Sequence, residues 1–201
     1  MKSKDFISCK DYPCKDIHPK GFLVPEIELS AEKIHMVMIS ECAPSDRKDY
    51  FYSGADALFA QTTLLAFQDA GVIASSIWQL VDMGIYFTTA VKCAKKGYGI
   101  DTKTIQACSI LLDKELKLFP NTRVLMLMGD VAIKSINTIA KAAGEKAPIP
   151  AGSTYKIRGK QFAWHDMRLF PSYLQAGPSF FIEKSKRKMI AEDIRSAINL
   201  L

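Results

Sequence analysis

The amino-acid sequence predicts an α/β protein, a three-layer sandwich in which helices cover both faces of a central, mostly parallel sheet. Short apolar runs of strand length, "KIHMVMIS", "GIYFTTAVK" and "TRVLMLMG", carry almost no polar interruption, as strands buried on both faces do. Longer segments with apolar residues at helical spacing lie between them. The two kinds alternate, which is the order that crossover connections in a parallel sheet require.

Taken in chain order, residues 1–32 read as an irregular arm, because Pro13, Pro19, Gly21 and Pro25 discourage a helix. The first strand is Lys33 to Ser40. A helix follows over Gly54 to Gly71, with Leu58, Phe59, Leu65 and Phe67 at helical spacing and Gly71 closing it. Gly84 to Lys92, rich in β-branched and aromatic residues, is the second strand. A helix then runs from a cap at Asp101 or Thr102 towards Pro120. The third strand ends at Gly129 and turns into a helix beginning at Asp130. Arg158-Gly159 suggests a hairpin turn, and "MRLFPS" a last strand. One amphipathic helix closes the chain, with Phe181, Met189, Ile190, Ile194 and Ile198 on its apolar side. The whole chain, residues 1–201, reads as one domain.

The composition excludes several classes. No stretch approaches the ~20 apolar residues of a membrane span, and the charged first residues lack the apolar core of a signal peptide, so a cytoplasmic protein is expected. Five cysteines, an odd number, do not suggest a disulfide framework. No G-x-G-x-x-G or Walker pattern follows a strand, so no nucleotide cofactor is expected. A net charge of +6 suits an anionic partner such as nucleic acid without specifying one.

Ligands of such sheets bind beyond the carboxyl ends of the strands. Those ends read "ECAPS", "YFTTAVKC", "VLMLMGDVAIKSI" and "RLFPSYLQAGPSF". In this order and spacing they resemble the uracil-DNA glycosylase superfamily, and within it the iron–sulfur branch found in bacteria and archaea. The resemblance runs from about Cys9 to the C-terminus.

That resemblance implies a monomeric protein hydrolysing the N-glycosidic bond of uracil or another deaminated base flipped out of DNA, whether single- or double-stranded. In the family's first motif an acid orients water or stabilises the developing sugar cation. Matching on Ala43-Pro44 sets Cys42 where that acid is expected and Glu41 one residue upstream. Adjacent strand residues point oppositely, so Glu41 serves only if the strand end is bulged or twisted; Asp46 is the other candidate. Backbone groups from Ala43 and Pro44 to Ser45 would contact the base, with Phe51 or Tyr52 stacked on it, since Tyr50, Phe51 and Tyr52 do not all face inward. Thr89 replaces an Asn that reads the base edge, and one hydroxyl cannot reproduce an amide's paired donor and acceptor. In the loop Ser172-Tyr173-Leu174-Gln175, Leu174 and Gln175 stand where the family carries His and Pro. Leu174 would then act as an apolar wedge and Gln175 as a donor to base or phosphate. Lys184 and Lys186, in a basic run behind this loop and near a Ser179 cap, would meet phosphates. His35 and His165 read as structural.

The same resemblance assigns Cys9, Cys14, Cys93 and Cys108 to a [4Fe–4S] cluster tying the arm to the core. A zinc ion on the same thiolates is the rival. With the Asn and His both replaced, a binder of nucleic acid or nucleobase that does not cleave remains the alternative to an enzyme.

Overall fold

The structure is a computed structural model that describes residues 1–201. Its strands and helices follow in chain order. The arm contributes β1 (Ile17–His18), and β2 spans Met36–Ala43. Next come α1 (Leu58–Asp69), α2 (Ile77–Asp82), β3 (Ile85–Lys95), α3 (Thr102–Leu116), β4 (Val124–Met128) and α4 (Asp130–Ala142). The chain closes with α5 (Thr154–Ile157), β5 (Phe162–Trp164), β6 (Met167–Ser172), α6 (Ser179–Ile182) and α7 (Lys184–Ile198).

All strands join one six-stranded sheet in the order β1-β3-β2-β4-β6-β5. The four central strands are parallel, and β1 and β5 pair antiparallel at the two edges. The central strands are the apolar runs seen in the sequence, and β4 is buried along its whole length. Side chains alternate between faces: Val37 and Ile39 of β2 join Leu112, Ile136 and Ala140 in one core, while Met36 and Met38 join Phe67, Phe180 and Ile194 in the other. Helices α3 and α4 therefore cover one face, and α1 and α7 the other. This is the expected α/β sandwich. No helix is long and apolar enough to cross a membrane.

Four expectations change. The hairpin turn is not at Arg158-Gly159; β5 and β6 are joined at His165-Asp166, with Trp164 paired to Met167 and His165 at a φ of 51°. Residues before Arg158 form the short helix α5, because Ile157 is drawn into the core and Arg158 bonds the carboxylate of Asp193 on α7. The terminal helix breaks at Glu183 (φ −99°, ψ 73°), which turns Phe180 inward and leaves Phe181 exposed. Ser179 makes no capping bond, and Glu183 holds the cap position of α7. The arm is also better anchored than an irregular coil. It adds β1 to the sheet and buries Ile7, Ile17, Leu23, Val24 and Ile27.

Candidate functional site

The parallel strands place their carboxyl ends on one edge. The chain leaves β2 towards β3 on one side and returns to β4 on the other, so the switch point lies between the tips of β2 and β4. The tips meet: Gly129 N donates to Ser172 O at 2.9 Å, and Ser40 Oγ on β2 donates to Gln175 Oε1 at 3.2 Å.

Glu41 lies over the switch point, on the α4 side. Its carboxylate accepts from Val131 N at 3.5 Å, capping a helix whose own cap residue, Gly129, has no side chain to offer. Gly129 has a φ of +97°, and a Cβ there would come within 2.5 Å of Glu41 Oε1, so glycine is needed for both reasons. The irregularity that Glu41 would need is present but displaced. Cys42 pairs with Val91 and Ala43 with Ala94, so two extra residues, Lys92 and Cys93, bulge out of β3. Asp46 lies in the exposed loop beyond Pro44 and Ser45, where Oδ1 accepts from Lys48 N at 2.9 Å and caps a single turn. Cys42 is half-buried beside Lys95; burial raises its thiol pKa, which the ammonium of Lys95 opposes.

The bulge in β3 sends Lys92 back into the protein. It is fully buried, forms an ion pair with Glu115 of α3, and donates to Thr88 Oγ1 at 2.9 Å. Glu115 also accepts from Tyr86 Oη at 2.8 Å and from Thr88 Oγ1 at 3.0 Å. Every polar group of this cluster is answered. A lysine inside an apolar strand and a glutamate in helical step with Cys108, Leu111 and Leu112 are its sequence signals.

On the α1–α7 face the chemistry differs. Thr89 is fully buried, and its Oγ1 has no hydrogen-bond partner. Tyr50, also buried, has an unpartnered hydroxyl. Burial raises the pKa of that phenol, with the charge of Glu115 adding to it and the neighbouring hydroxyls of Thr88 and Thr89 opposing it. Close by, Gln175 is fully buried, donating to Met38 Sδ at 3.1 Å and Thr63 Oγ1 at 3.3 Å.

Several expected contacts are therefore corrected. Gln175 does not face outward, because its amide is spent among Ser40, Thr63 and Met38. Ser172 is buried and donates to Asp193 Oδ2 at 2.6 Å, joining β6 to α7. Leu174 and Tyr173 are half-buried against the α1–α7 core, with Lys186 over the Tyr173 ring at 5.3 Å. Lys186 also pairs with Glu183, whereas Lys184 stays exposed at a cleft holding Arg187, Lys188 and Arg195. Glu183, at the cap of α7, makes that helix end a poor phosphate site. Phe51 is packed between Phe59 and Phe87, at 5.3 and 5.8 Å. Tyr52 Oη donates to Phe87 O at 3.0 Å and accepts from Phe87 N at 2.9 Å, covering the open edge of β3. Neither ring is free to stack on a ligand, and Tyr50 and Phe51 both face inward. The segment is a turn, where the alternation of a strand does not apply.

Cys9, Cys14, Cys93 and Cys108 converge where the arm meets β3 and α3. Burial, then the nearby thiols of Cys108, Cys9 and Cys14, push the Cys93 thiol up to about 12. Burial also raises Cys108, whose sulfur accepts from Lys92 N at 3.3 Å. All five cysteines are free, and no three His, Cys, Asp or Glu side chains gather closely enough to hold a single metal ion. A cavity of about 570 Å³ lies at the opposite end of the sheet, between α3, α4 and the β5–β6 hairpin. None of the expected site residues lines it.

Compared with protein-family models the chain matches none, and a comparison with curated proteins finds no match either.

Proposed function

We propose that the protein accepts a single nucleobase, extruded from DNA, at the carboxyl ends of β2 and β3, and that it hydrolyses the glycosidic bond of a deaminated base in the manner of the uracil-DNA glycosylases its motifs resemble. The observation that carries this reading is the pair of buried, unpartnered hydroxyls, Thr89 Oγ1 and Tyr50 Oη. A buried polar group without a partner costs roughly 1–3 kcal/mol, and a ligand with hydrogen-bonding edges removes that cost. Uracil and hypoxanthine carry such edges, and Thr89 stands at the position whose counterpart reads the base edge in the family.

In this reading the base enters beside Ala43 and Pro44, and Thr89 and Tyr50 bond its edge. Gln175, fixed by Ser40 and Thr63, forms the floor. The catalytic carboxylate is Glu41, which reaches the sugar only by leaving Val131 N; Asp46 is the alternate, reached by closure of its exposed loop. A second reading, binding without cleavage, is favoured by a specific observation: both carboxylates are already engaged, one at α4 and one in its own turn.

In this reading Cys9, Cys14, Cys93 and Cys108 are the residues that would hold a [4Fe–4S] cluster. Cys9 and Cys14 of the arm lie close enough to Cys93 and Cys108 to raise those two thiols, and Cys108 already accepts a backbone N–H. The cluster's contribution would be structural, a cross-link between the arm and β3–α3, and a reducing cytoplasm would keep its ligands available.

Purified protein incubated with single- and double-stranded oligonucleotides containing uracil, hypoxanthine or xanthine tests the activity. Alkali-labile sites that vanish with Glu41→Gln or Asp46→Asn establish cleavage; retained, salt-sensitive binding without breaks establishes the binder. Anaerobic preparation should give a brown protein with broad visible absorbance that Cys93→Ser abolishes, and a colourless, iron-free protein would dismiss the cluster.

A further inference from the structure

The wedge expected from the sequence, Leu174, lies half-buried, so this edge needs another group to fill the gap left by an extruded base. The loop Lys95–Ile100, "KKGYGI", leaves β3 at that edge, one residue beyond the pairing of Ala94 with Ala43. Tyr98 at its tip is fully exposed. Gly97 and Gly99 on either side have nothing within 4 Å of where a Cβ would stand, so the loop around Tyr98 is open.

The loop is not slack. Lys95 Nζ donates to Tyr98 O at 2.9 Å, and Lys96 Nζ donates to Lys15 O at 2.8 Å. Lys96 N bonds Asp16 O at 2.8 Å, and Asp101 N bonds Asp16 Oδ2 at 2.7 Å, so both ends are tied to the arm. A clamped loop therefore holds an aromatic ring in water, where it buries no apolar surface. Each ammonium keeps further donors after its backbone bond. Arg47 and Lys48, in the segment that follows the Ala43 tip of β2, are exposed as well. An uncovered ring with lysines beside it in its own loop suits single-stranded nucleic acid, bases on the ring and phosphates on the charges.

We infer that Tyr98 is a base-stacking residue: resting on the reading that the strand ends take a base from DNA, its ring stacks on the base left unpaired, while Lys96 and Lys48 face the neighbouring phosphates. The aromatic wedge thus comes from the β3–α3 loop and not from the loop after β6.

The test uses the full chain and a DNA duplex carrying 2-aminopurine opposite a tetrahydrofuran abasic site, with affinity read by anisotropy and stacking by 2-aminopurine fluorescence. Tyr98→Ala should weaken binding roughly 5- to 150-fold, the loss of one base–aromatic stack, and should abolish the fluorescence change. Tyr98→Phe should keep both, and Lys96→Ala should lower the salt slope by about one. The ring touches nothing, so thermal unfolding should not move. Equal binding and equal fluorescence change in Tyr98→Ala, with Thr89→Val still impairing uracil-DNA binding, overturns this inference and leaves the base pocket standing. Absence of any binding by the unsubstituted protein overturns both.

Discussion

Thr88 and Thr89 are neighbours on β3, equally buried, and their hydroxyls meet opposite fates. On the α3 side Thr88 bonds both Glu115 and Lys92, in a cluster with every group answered. On the α1–α7 side neither Thr89 nor Tyr50 beside it makes a hydrogen bond of good geometry, although the Thr88 and Thr89 hydroxyls lie close enough to the Tyr50 phenol to oppose the rise in its pKa. One strand thus separates a polar cluster that is complete from one that is not. A complete cluster holds the fold, because each member already compensates another's lost hydration. An incomplete one leaves hydrogen-bonding capacity for something outside the chain.

Removing one member of the complete cluster should produce the largest effect. Lys92→Met strands the Glu115 carboxylate in an apolar interior and should cost about 3–5 kcal/mol in urea unfolding. Lys92→Met combined with Glu115→Leu should recover most of that, since breaking a buried pair costs more than replacing it. A single variant as stable as the parent would show that the cluster does not hold the fold.

The incomplete cluster should respond in the opposite sense. Thr89→Val and Tyr50→Phe each delete a hydroxyl that has no partner, so stability should hold or rise by up to about 1–3 kcal/mol. Binding of uracil-containing oligonucleotide should fall in both. Marked destabilisation by either substitution would show the two sides to be alike.

A smaller effect concerns the arm on the α3 side. Asp16 accepts from Asp101 N and Thr104 Oγ1, tying the arm to the start of α3. Partial burial raises its pKa, but these hydrogen bonds outweigh that and leave it below its ordinary 3.8. A carboxyl lowered on folding stabilises the native state above pH 3.8, and the contribution is lost as pH falls through the lowered value. Asp16→Asn should cost about 1 kcal/mol at neutral pH and flatten the acid limb of the stability curve. An unchanged acid limb would show that the Asp16 carboxylate does not help anchor the arm.

Most of the fold was legible in the sequence because its strands are buried on both faces. Such strands must be continuously apolar, and the helices between them must carry a stripe; the runs ending at Ser40, Lys92 and Gly129 declared themselves in that way. Less regular segments were not legible. The Arg158-Gly159 turn signal is real, with Gly159 at a φ of +75°, but it joins α5 to β5. The break at Glu183 has no proline or glycine to announce it.

For the candidate site, the sequence by itself determined which residues reach the strand ends: Glu41, Cys42, Thr89, Ser172 and Gln175 all lie there. Only the tertiary structure decided which way they face. Glu41 turns to the exposed start of α4, Gln175 turns inward to Ser40 and Thr63, and Lys92 turns back to Glu115. Position along a strand is set by local apolar pattern, whereas the direction of a polar side chain is set by whichever unpaired group lies nearest in space. In this fold those groups come from residues up to 137 positions away.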